Sequence, residues 1–250
     1  YCLQHSNKAV NLIGKHYETQ HVFGPLTPNY TLYDVNVTAA ETVARACNDM
    51  GIDHLVHVSS LAANENSSSE WARTKLFGEK AVKAIFPDVT VCRLATLFGQ
   101  EDRFLNLIAY MCRTKNPFVG PFVINGGQNK VQPLWAASAG EAVGNAVILG
   151  DDAKGFTYHL AGDDVFTTEE IVEFVLESIQ TDVQKLYISP ERAEAMGMFY
   201  EQIWDPKCTR DSLRLWQEDC VLNAQYGERT ISDLGVKPRS MKREAFNYLI

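Results

Sequence analysis

Two serines, Ser59 and Ser60, close an apolar run that begins at His54, and the helix-like segment that follows carries Trp71 and Lys75. Residues four apart share one helical face, so the indole and the ammonium can both be presented toward the serines. These groups supply a hydroxyl, an indole N–H and an ammonium, all of them hydrogen-bond donors. Catalysis would need in addition a group that gives and takes a proton. An indole N–H does not ionise near neutral pH, so Trp71 cannot act as general acid or base. The expected chemistry is binding and orientation without turnover, and no residue is assigned a catalytic role. The plainer alternatives are that Ser59 satisfies backbone groups at a strand end and that Lys75, with Lys80 and Lys83, forms a solvated helix face. His54 and His57 fall on opposite sides of the run, so at most one can face the site, and both are expected to be structural.

The elements that must hold these groups follow from hydrophobic periodicity and its breakers. Residues 9–13 form a short apolar strand ending at Gly14, and residues 34–50 carry apolar positions at helical spacing up to Gly51. A strand over 54–59 leads to a helix over 69–85, with Ser67 to Ser69 as candidate N-caps and Pro87 as the stop, and then to a strand over 89–94. Strands separated by helices of this length imply right-handed crossovers and a parallel sheet. Beyond Gly99 a helix over 103–113, a Gly/Pro-rich connector over 116–128 and a helix over 138–149 are expected. A strand over 156–161 then precedes Thr167 to Glu170, a capping-box pattern opening a helix over 169–179. From residue 189 onward helical pieces alternate with irregular connections, and Phe199, Tyr200, Trp204 and Trp216 supply either a core or a groove for another protein.

Composition narrows the function classes. Of 250 residues, 46% are hydrophobic and 22% charged, enough to build a substantial core. The formal net charge is -8 without any cluster of Lys and Arg, which argues against nucleic acid as a partner. No apolar run approaches the 18 or more residues that span a bilayer, so contact with a membrane is expected to be peripheral at most. The six cysteines are scattered, with no C-x-x-C pair, so no metal site is expected. Reduced thiols in a reducing compartment fit this usage.

Three signatures resemble the extended and atypical short-chain dehydrogenases: Asp34-Val-Asn36-Val-Thr38 opening a helix, Ser59 with Lys75, and the strand exit Arg93-Leu-Ala-Thr-Leu-Phe-Gly99. Glu101-Asp-Arg-Phe-Leu-Asn106, Val131-Gln-Pro-Leu-Trp135 and Asp233-Leu-Gly-Val236 narrow the likeness. Together they resemble the family of NADPH-binding, short-chain-dehydrogenase-like accessory subunits of mitochondrial respiratory complex I. The resemblance implies an α/β, Rossmann-like doubly wound parallel sheet, with residues 1–165 as the C-terminal part of a dinucleotide-binding domain and 166–250 as a smaller mixed lobe for subunit contacts. It implies a nucleotide site at Leu12, Ile13, Gly14, Ser59, Ser60, Lys75, Leu94, Ala95, Thr96 and Leu97, with the Lys75 ammonium on the ribose hydroxyls. The function implied is a catalytically silent subunit on the matrix side of the mitochondrial inner membrane, with other complex I subunits as partners; the density of large aromatics over 189–216 makes that stretch the expected main contact. An active NAD(P)-dependent reductase or epimerase and a soluble redox-sensing binding protein remain the alternatives.

The chain departs from the family pattern at three points. Trp71 stands at the usual tyrosine, Ser138 stands at a usual aspartate, and no G-x-x-G-x-x-G occurs anywhere. That loop follows the first strand of such sheets and holds the pyrophosphate. NADPH is therefore expected only if a glycine-rich N-terminal segment is supplied. The apolar strand over 9–13 is expected to pair with strands from outside residues 1–250, either a separate N-terminal polypeptide or a longer chain, because it carries no charge or proline that would protect an edge.

Overall fold

The strands alternate in which face of the sheet they bury, and this alternation builds the upper half of the molecule. The computed structural model describes residues 3–18, 30–114, 121–202, 206, 208–223 and 228–249. In it β1 (Lys8–Asn11), β2 (His54–Ser60), β3 (Thr90–Leu94), β8 (Thr157–Leu160) and β11 (Arg229–Thr230) form one sheet in the order β1-β2-β3-β8-β11. Every neighbouring pair is parallel. Leu55 and Val91 pack toward Ala40, Ala44 and Val82, whereas the next residues along, Val56 and Cys92, pack toward Ala142, Tyr158 and Leu160. Helices cover both faces, as parallel sheets require. They are α1 (Ala39–Asp49) and α2 (Glu70–Ile85) on one side and α4 (Ala136–Leu149) on the other.

The lower half gathers shorter elements around a second apolar cluster. These are β4 (Leu97–Phe98), α3 (Leu105–Arg113), β5 (Phe122–Ile124), β6 (Lys130–Val131), β7 (Leu134–Trp135), β9 (Phe166–Thr167), α5 (Thr168–Ser178), β10 (Leu186–Ile188), α6 (Pro190–Tyr200), α7 (Arg210–Leu215) and α8 (Met241–Leu249). Phe98, Ile108, Phe122, Ile171, Leu213 and Met241 are fully or almost fully buried there. The capping box is present at the start of α5, with Thr167 and Glu170 exchanging side-chain and backbone bonds. Residues 98–131 contribute to this cluster together with 166–249, and β11 returns to pair with β8 in the large sheet. Packing thus crosses the boundary expected at 165/166 in both directions.

Several local expectations are corrected. The strand expected over 9–13 ends at Asn11, because the Asn11 side-chain oxygen accepts the Ile13 backbone N–H at 3.0 Å and turns the chain out of the extended path. Leu12 and Ile13 follow the strand and are exposed. The expected connector over 116–128 contains β5, which pairs in parallel with β10. Three residues are too few to show a period. Residues 115–120 and Trp204 lie outside the described residues.

Helix α2 carries the site, and three contacts fix its position. Ser69 caps it by accepting the Ala72 N–H. The Glu79 carboxylate, 2% exposed, takes a forked bond from Arg93 on β3, at 3.0 Å from Nε to Oε1 and 2.7 Å from Nη2 to Oε2. Gly78 lies against the π-helical turn Asp34–Thr38 that leads into α1. A Cβ at Gly78 would stand 2.1 Å from the Asn36 carbonyl oxygen, so only glycine allows this approach. The Asn36 amide reinforces the contact by donating to Thr74 Oγ1 at 3.0 Å.

A pair of glycine substitutions tests this packing. Gly78→Ala is expected to destabilise the fold by roughly 2–4 kcal/mol, since backbone must move to admit one methyl. Gly144→Ala in α4, where a Cβ would meet nothing within 4 Å, is expected to gain about 0.5–1 kcal/mol. Urea unfolding monitored by circular dichroism reads both, and equal midpoints for the two variants would refute the close-packed account.

Candidate functional site

The carboxyl ends of β2 and β3 open into a cavity of about 350 Å³ between the two halves. Strand β2 delivers Ser59 and Ser60, the exit from β3 delivers Leu94, Ala95, Thr96 and Leu97, and the first turns of α2 deliver Trp71 and Lys75. All of these line the cavity. Ligands in open parallel α/β sheets bind at this end, because loops there diverge and leave a crevice.

Each side chain has a distinct local situation. The Lys75 ammonium donates to the Val58 carbonyl at 3.4 Å, and burial holds its pKa below the ordinary lysine value, with Glu79 opposing. Ser59 is 4% exposed, and its Oγ has no hydrogen-bond partner among the described residues. Ser60 Oγ, by contrast, accepts the Ala62 N–H at 3.1 Å. The Trp71 ring meets His16 edge-on, with centroids 5.3 Å apart. Burial, and secondarily Arg103, hold His16 below the ordinary histidine pKa against the opposing pull of Asp211, which keeps the ring neutral at pH 7.

Of the residues expected to hold a nucleotide, Leu12, Ile13 and Gly14 stand outside the cavity wall. Gly14 is nevertheless close to the site: a Cβ on it would lie 3.5 Å from Lys75 Nζ. Behind it, Asn11 Nδ2 donates to His57 Nδ1 at 3.1 Å. Burial first, then the charges of Lys75 and Lys83, push His57 down to about 4. On the other side of β2, His54 meets Thr90 Oγ1 at 2.8 Å, so both histidines are structural.

The opposite wall was not legible in the sequence. Arg103, Phe104 and Ile108 come from the entry to α3, Asn129 and Val131 from the approach to β6, and Leu215, Trp216, Glu218 and Cys220 from α7 and the residues after it. The motif Glu101 to Asn106 held one usable signal. Asp102 accepts the N–H groups of Gly99, Phe104 and Asn106 and the Tyr248 hydroxyl, which folds this loop over the site. Residues 209–220 carry no comparable pattern, yet they grip the start of α2. Asp211 accepts from Ser69 Oγ at 2.8 Å, Glu70 N at 2.6 Å and Trp71 N at 3.1 Å. Glu218 accepts from Ser67 Oγ, Ser68 N and Ser68 Oγ. Trp216, expected in either a core or a contact surface, is half-buried on the cavity wall and packs against Phe122, with centroids 5.8 Å apart. Among the described residues no group of acidic, histidine and cysteine side chains could hold a metal ion.

Comparison with known proteins adds sequence and fold relatives. Residues 28–198 match the family described as RmlD substrate binding domain. The chain is 31% identical to the mitochondrial NADH-ubiquinone oxidoreductase 40 kDa subunit of Neurospora crassa, over 99% of this chain and 61% of that protein. It is 32% identical to the mitochondrial NADH dehydrogenase (ubiquinone) 1 alpha subcomplex subunit 9 of Mus musculus, over 99% of this chain and 62% of that protein. The chain therefore spans about six tenths of the length of these relatives. Among solved structures, MoeE5 in complex with UDP-glucose and NAD superposes with a TM-score of 0.67 at 17% identity, covering 99% of this chain and 79% of that one. This likeness is one of fold.

Two outcomes check the site's construction. As pH falls from 6.5 to 4 the unfolded chain takes up a proton on His57 that the folded chain refuses, so the contribution of His57 to stability is intact above pH 6.5 and is lost progressively below it. The loss is expected to reach on the order of 3 kcal/mol near pH 4, and His57→Gln should flatten the profile in chemical denaturation. Asp211→Ala leaves the start of α2 without its three bonds and should cost roughly 1–3 kcal/mol, read as a lower thermal midpoint. A wild-type midpoint in that variant would show that α2 does not depend on the carboxylate.

Proposed function

The chain belongs to the RmlD substrate binding domain family, and from that premise we propose that it is a catalytically silent, nucleotide-binding accessory subunit of mitochondrial respiratory complex I. The carrying observation is Trp71. Its backbone N–H is bonded to Asp211, its ring stacks edge-on against His16, and it stands one helical turn before Lys75 on the wall that also holds Ser59. No tyrosine is among the described residues of that wall. The donors are in place and the phenol that would move a proton is not.

The residues fit the ribose and nicotinamide end of a nucleotide. Lys75 holds a long bond to one carbonyl, and Ser59 Oγ has no partner among the described residues, so both have donors to offer. When bound, a nicotinamide nucleotide supplies a hydride donor or acceptor, and it also stabilises the fold by mass action. Lys75 would orient the ribose, the 94–97 segment would flank the ring, and Trp71 would exclude water. The cofactor proposed is NADPH, with its pyrophosphate held by a glycine-rich segment from outside these residues. β1 has β2 as its one strand partner among the described residues, and its other edge would receive a strand of that segment. The place proposed is the matrix side of the inner membrane. Among the described residues no helix is long and apolar enough to cross a membrane, in keeping with peripheral attachment. Met198 and Phe199 on α6, and Tyr187 on β10, are exposed and would contact other subunits. The proposed organisation keeps residues 1–165 as the main nucleotide-binding part and 166–250 as the contact lobe, the two sharing one lower core and one cavity.

Two measurements test the proposal. The protein should co-migrate with complex I after mild detergent extraction, and peptide analysis of that particle should identify the segment that completes the sheet, a separate polypeptide or more of this chain. Migration as a free protein would defeat the subunit assignment. The purified protein should show no turnover of carbonyl substrates with NADPH. Steady turnover abolished by Lys75→Ala, or by His16→Gln, would establish an active reductase instead.

A further inference from the structure

The loop from Gly99 to Asn106 brings Arg103 and Phe104 to the cavity, and different bonds fix its shape and its place. Asp102 shapes it from within. Its Oδ2 accepts the Gly99 N–H at 2.9 Å, and its Oδ1 accepts those of Phe104 and Asn106 at 2.8 and 3.0 Å. The Asn106 side-chain amide closes the ring by donating to the Gly99 and Gln100 carbonyls. All of these partners belong to the loop, so they make it a unit without locating that unit in the molecule. The Tyr248 hydroxyl differs: it donates to Asp102 Oδ2 at 2.8 Å from α8. Among the described residues it is the one donor to Asp102 from outside the loop.

Helix α8 is itself held fast. Met241, Ala245 and Leu249 are buried in the lower core. Arg113 of α3 donates to the Leu249 carbonyl at 2.6 Å, satisfying one of the last carbonyls, which have no partner within the helix. The Tyr248 ring lies 6.2 Å from that of Trp135, and Trp135 lies 5.3 Å from Phe98, so the phenol reaches Asp102 from a packed aromatic row. Burial, and then the bond to Asp102, raise its pKa above the ordinary tyrosine value, which keeps it a donor across the physiological range. On its other side the loop meets the upper half, with the Arg103 guanidinium 5.1 Å from the centre of the Tyr17 ring. The loop therefore bridges the two halves beside the cavity, and Tyr248 holds its lower end.

We propose that Tyr248 is a positioning residue of the site: its hydroxyl holds the 99–106 loop against the lower core, and loss of that one bond lets the loop move as a unit and opens the cavity at Arg103 and Phe104. The bond is charge-assisted and partly buried, so it is among the stronger kinds of single hydrogen bond. Without it the carboxylate keeps three backbone donors, which still shape the loop and no longer place it. The identity of the ligand rests on the nucleotide reading above; the movement of the loop does not.

Tyr248→Phe removes the hydroxyl and keeps the ring. In the full chain, hydrogen exchange read by mass spectrometry is expected to run about tenfold faster in peptides covering 99–106, because a loop freed from the core opens its internal bonds more readily. Peptides covering β2 should be unchanged, and the midpoint of urea unfolding only slightly lower. Asp102→Asn should also speed exchange over 99–106, and adding Tyr248→Phe to it should add little, since both remove the same bond. Where Asp102→Asn fails to fold, Tyr248→Phe alone decides. A fluorinated tyrosine placed at 248 reports from the bond itself: its fluorine resonance should shift when NADPH is added, and NADPH should bind Tyr248→Phe roughly fivefold more weakly than wild type. Unchanged exchange over 99–106 would overturn the inference, as would faster exchange spread evenly over the chain in step with a lower urea midpoint. NADPH binding with equal affinity to wild type and Tyr248→Phe would overturn it as well and leave the nucleotide reading standing. Faster exchange confined to the loop in a protein that takes up no NADPH would do the reverse.

Discussion

The start of α2 is where the two halves of the molecule are joined, and the join is electrostatic. The first turn of a helix exposes N–H groups that have no partner within the helix and concentrates partial positive charge there. Ser69 satisfies one of them, and the Asp211 carboxylate accepts those of Glu70 and Trp71. Glu218 holds the two serines just before the helix through three further bonds. Both acids come from the segment that also contributes Leu215, Trp216 and Cys220 to the cavity. The clamp and the far wall of the site are therefore one piece of chain, and the wall cannot withdraw without uncapping the helix that carries Lys75.

Further along α2 the constraints change in kind. Gly78 admits the Asn36 carbonyl by steric exclusion, and one turn of π-helix places Asn36 where its amide meets Thr74. Glu79 is ionic, buried and matched by the fork of Arg93. Breaking such a pair by removing one partner leaves a buried charge, which is why it fixes position more firmly than its net contribution to stability implies. With the helix pinned at its start and middle, Lys75 has little freedom, and its ammonium sits between the end of β2 and Gly14.

Burial keeps the site's histidine neutral, two serines occupy its glutamate, and an indole takes the position from which a phenol would act in the proposed reading. Ser59 Oγ and Asn129 Nδ2 are buried without a partner among the described residues. A molecule held only by the folded chain stabilises that state.

Much of the upper half was legible in the sequence, because strands β2 and β3 and helix α2 are long enough to show their period and have strong stops at Ser69 and Pro87. The family likeness rested on those same segments, and Ser59, Ser60, Lys75 and the run from Leu94 to Leu97 do meet around one cavity. Residue type alone determined that Trp71 cannot cycle a proton, since ionisation is a property of the indole and no fold changes it. Other features needed the tertiary structure. β5 has three residues and β11 two, so their pairing is decided by partners far away in sequence. Asn11 ends the first strand through a bond to its own neighbour, which leaves Leu12 and Ile13 outside the cavity. The far wall draws on residues 103 to 220 because apolar side chains report that they are buried and not against what. Which of them face a cavity is set by how the two halves pack, and that depends on carboxylates at positions 211 and 218 meeting a helix start some 140 to 150 residues earlier.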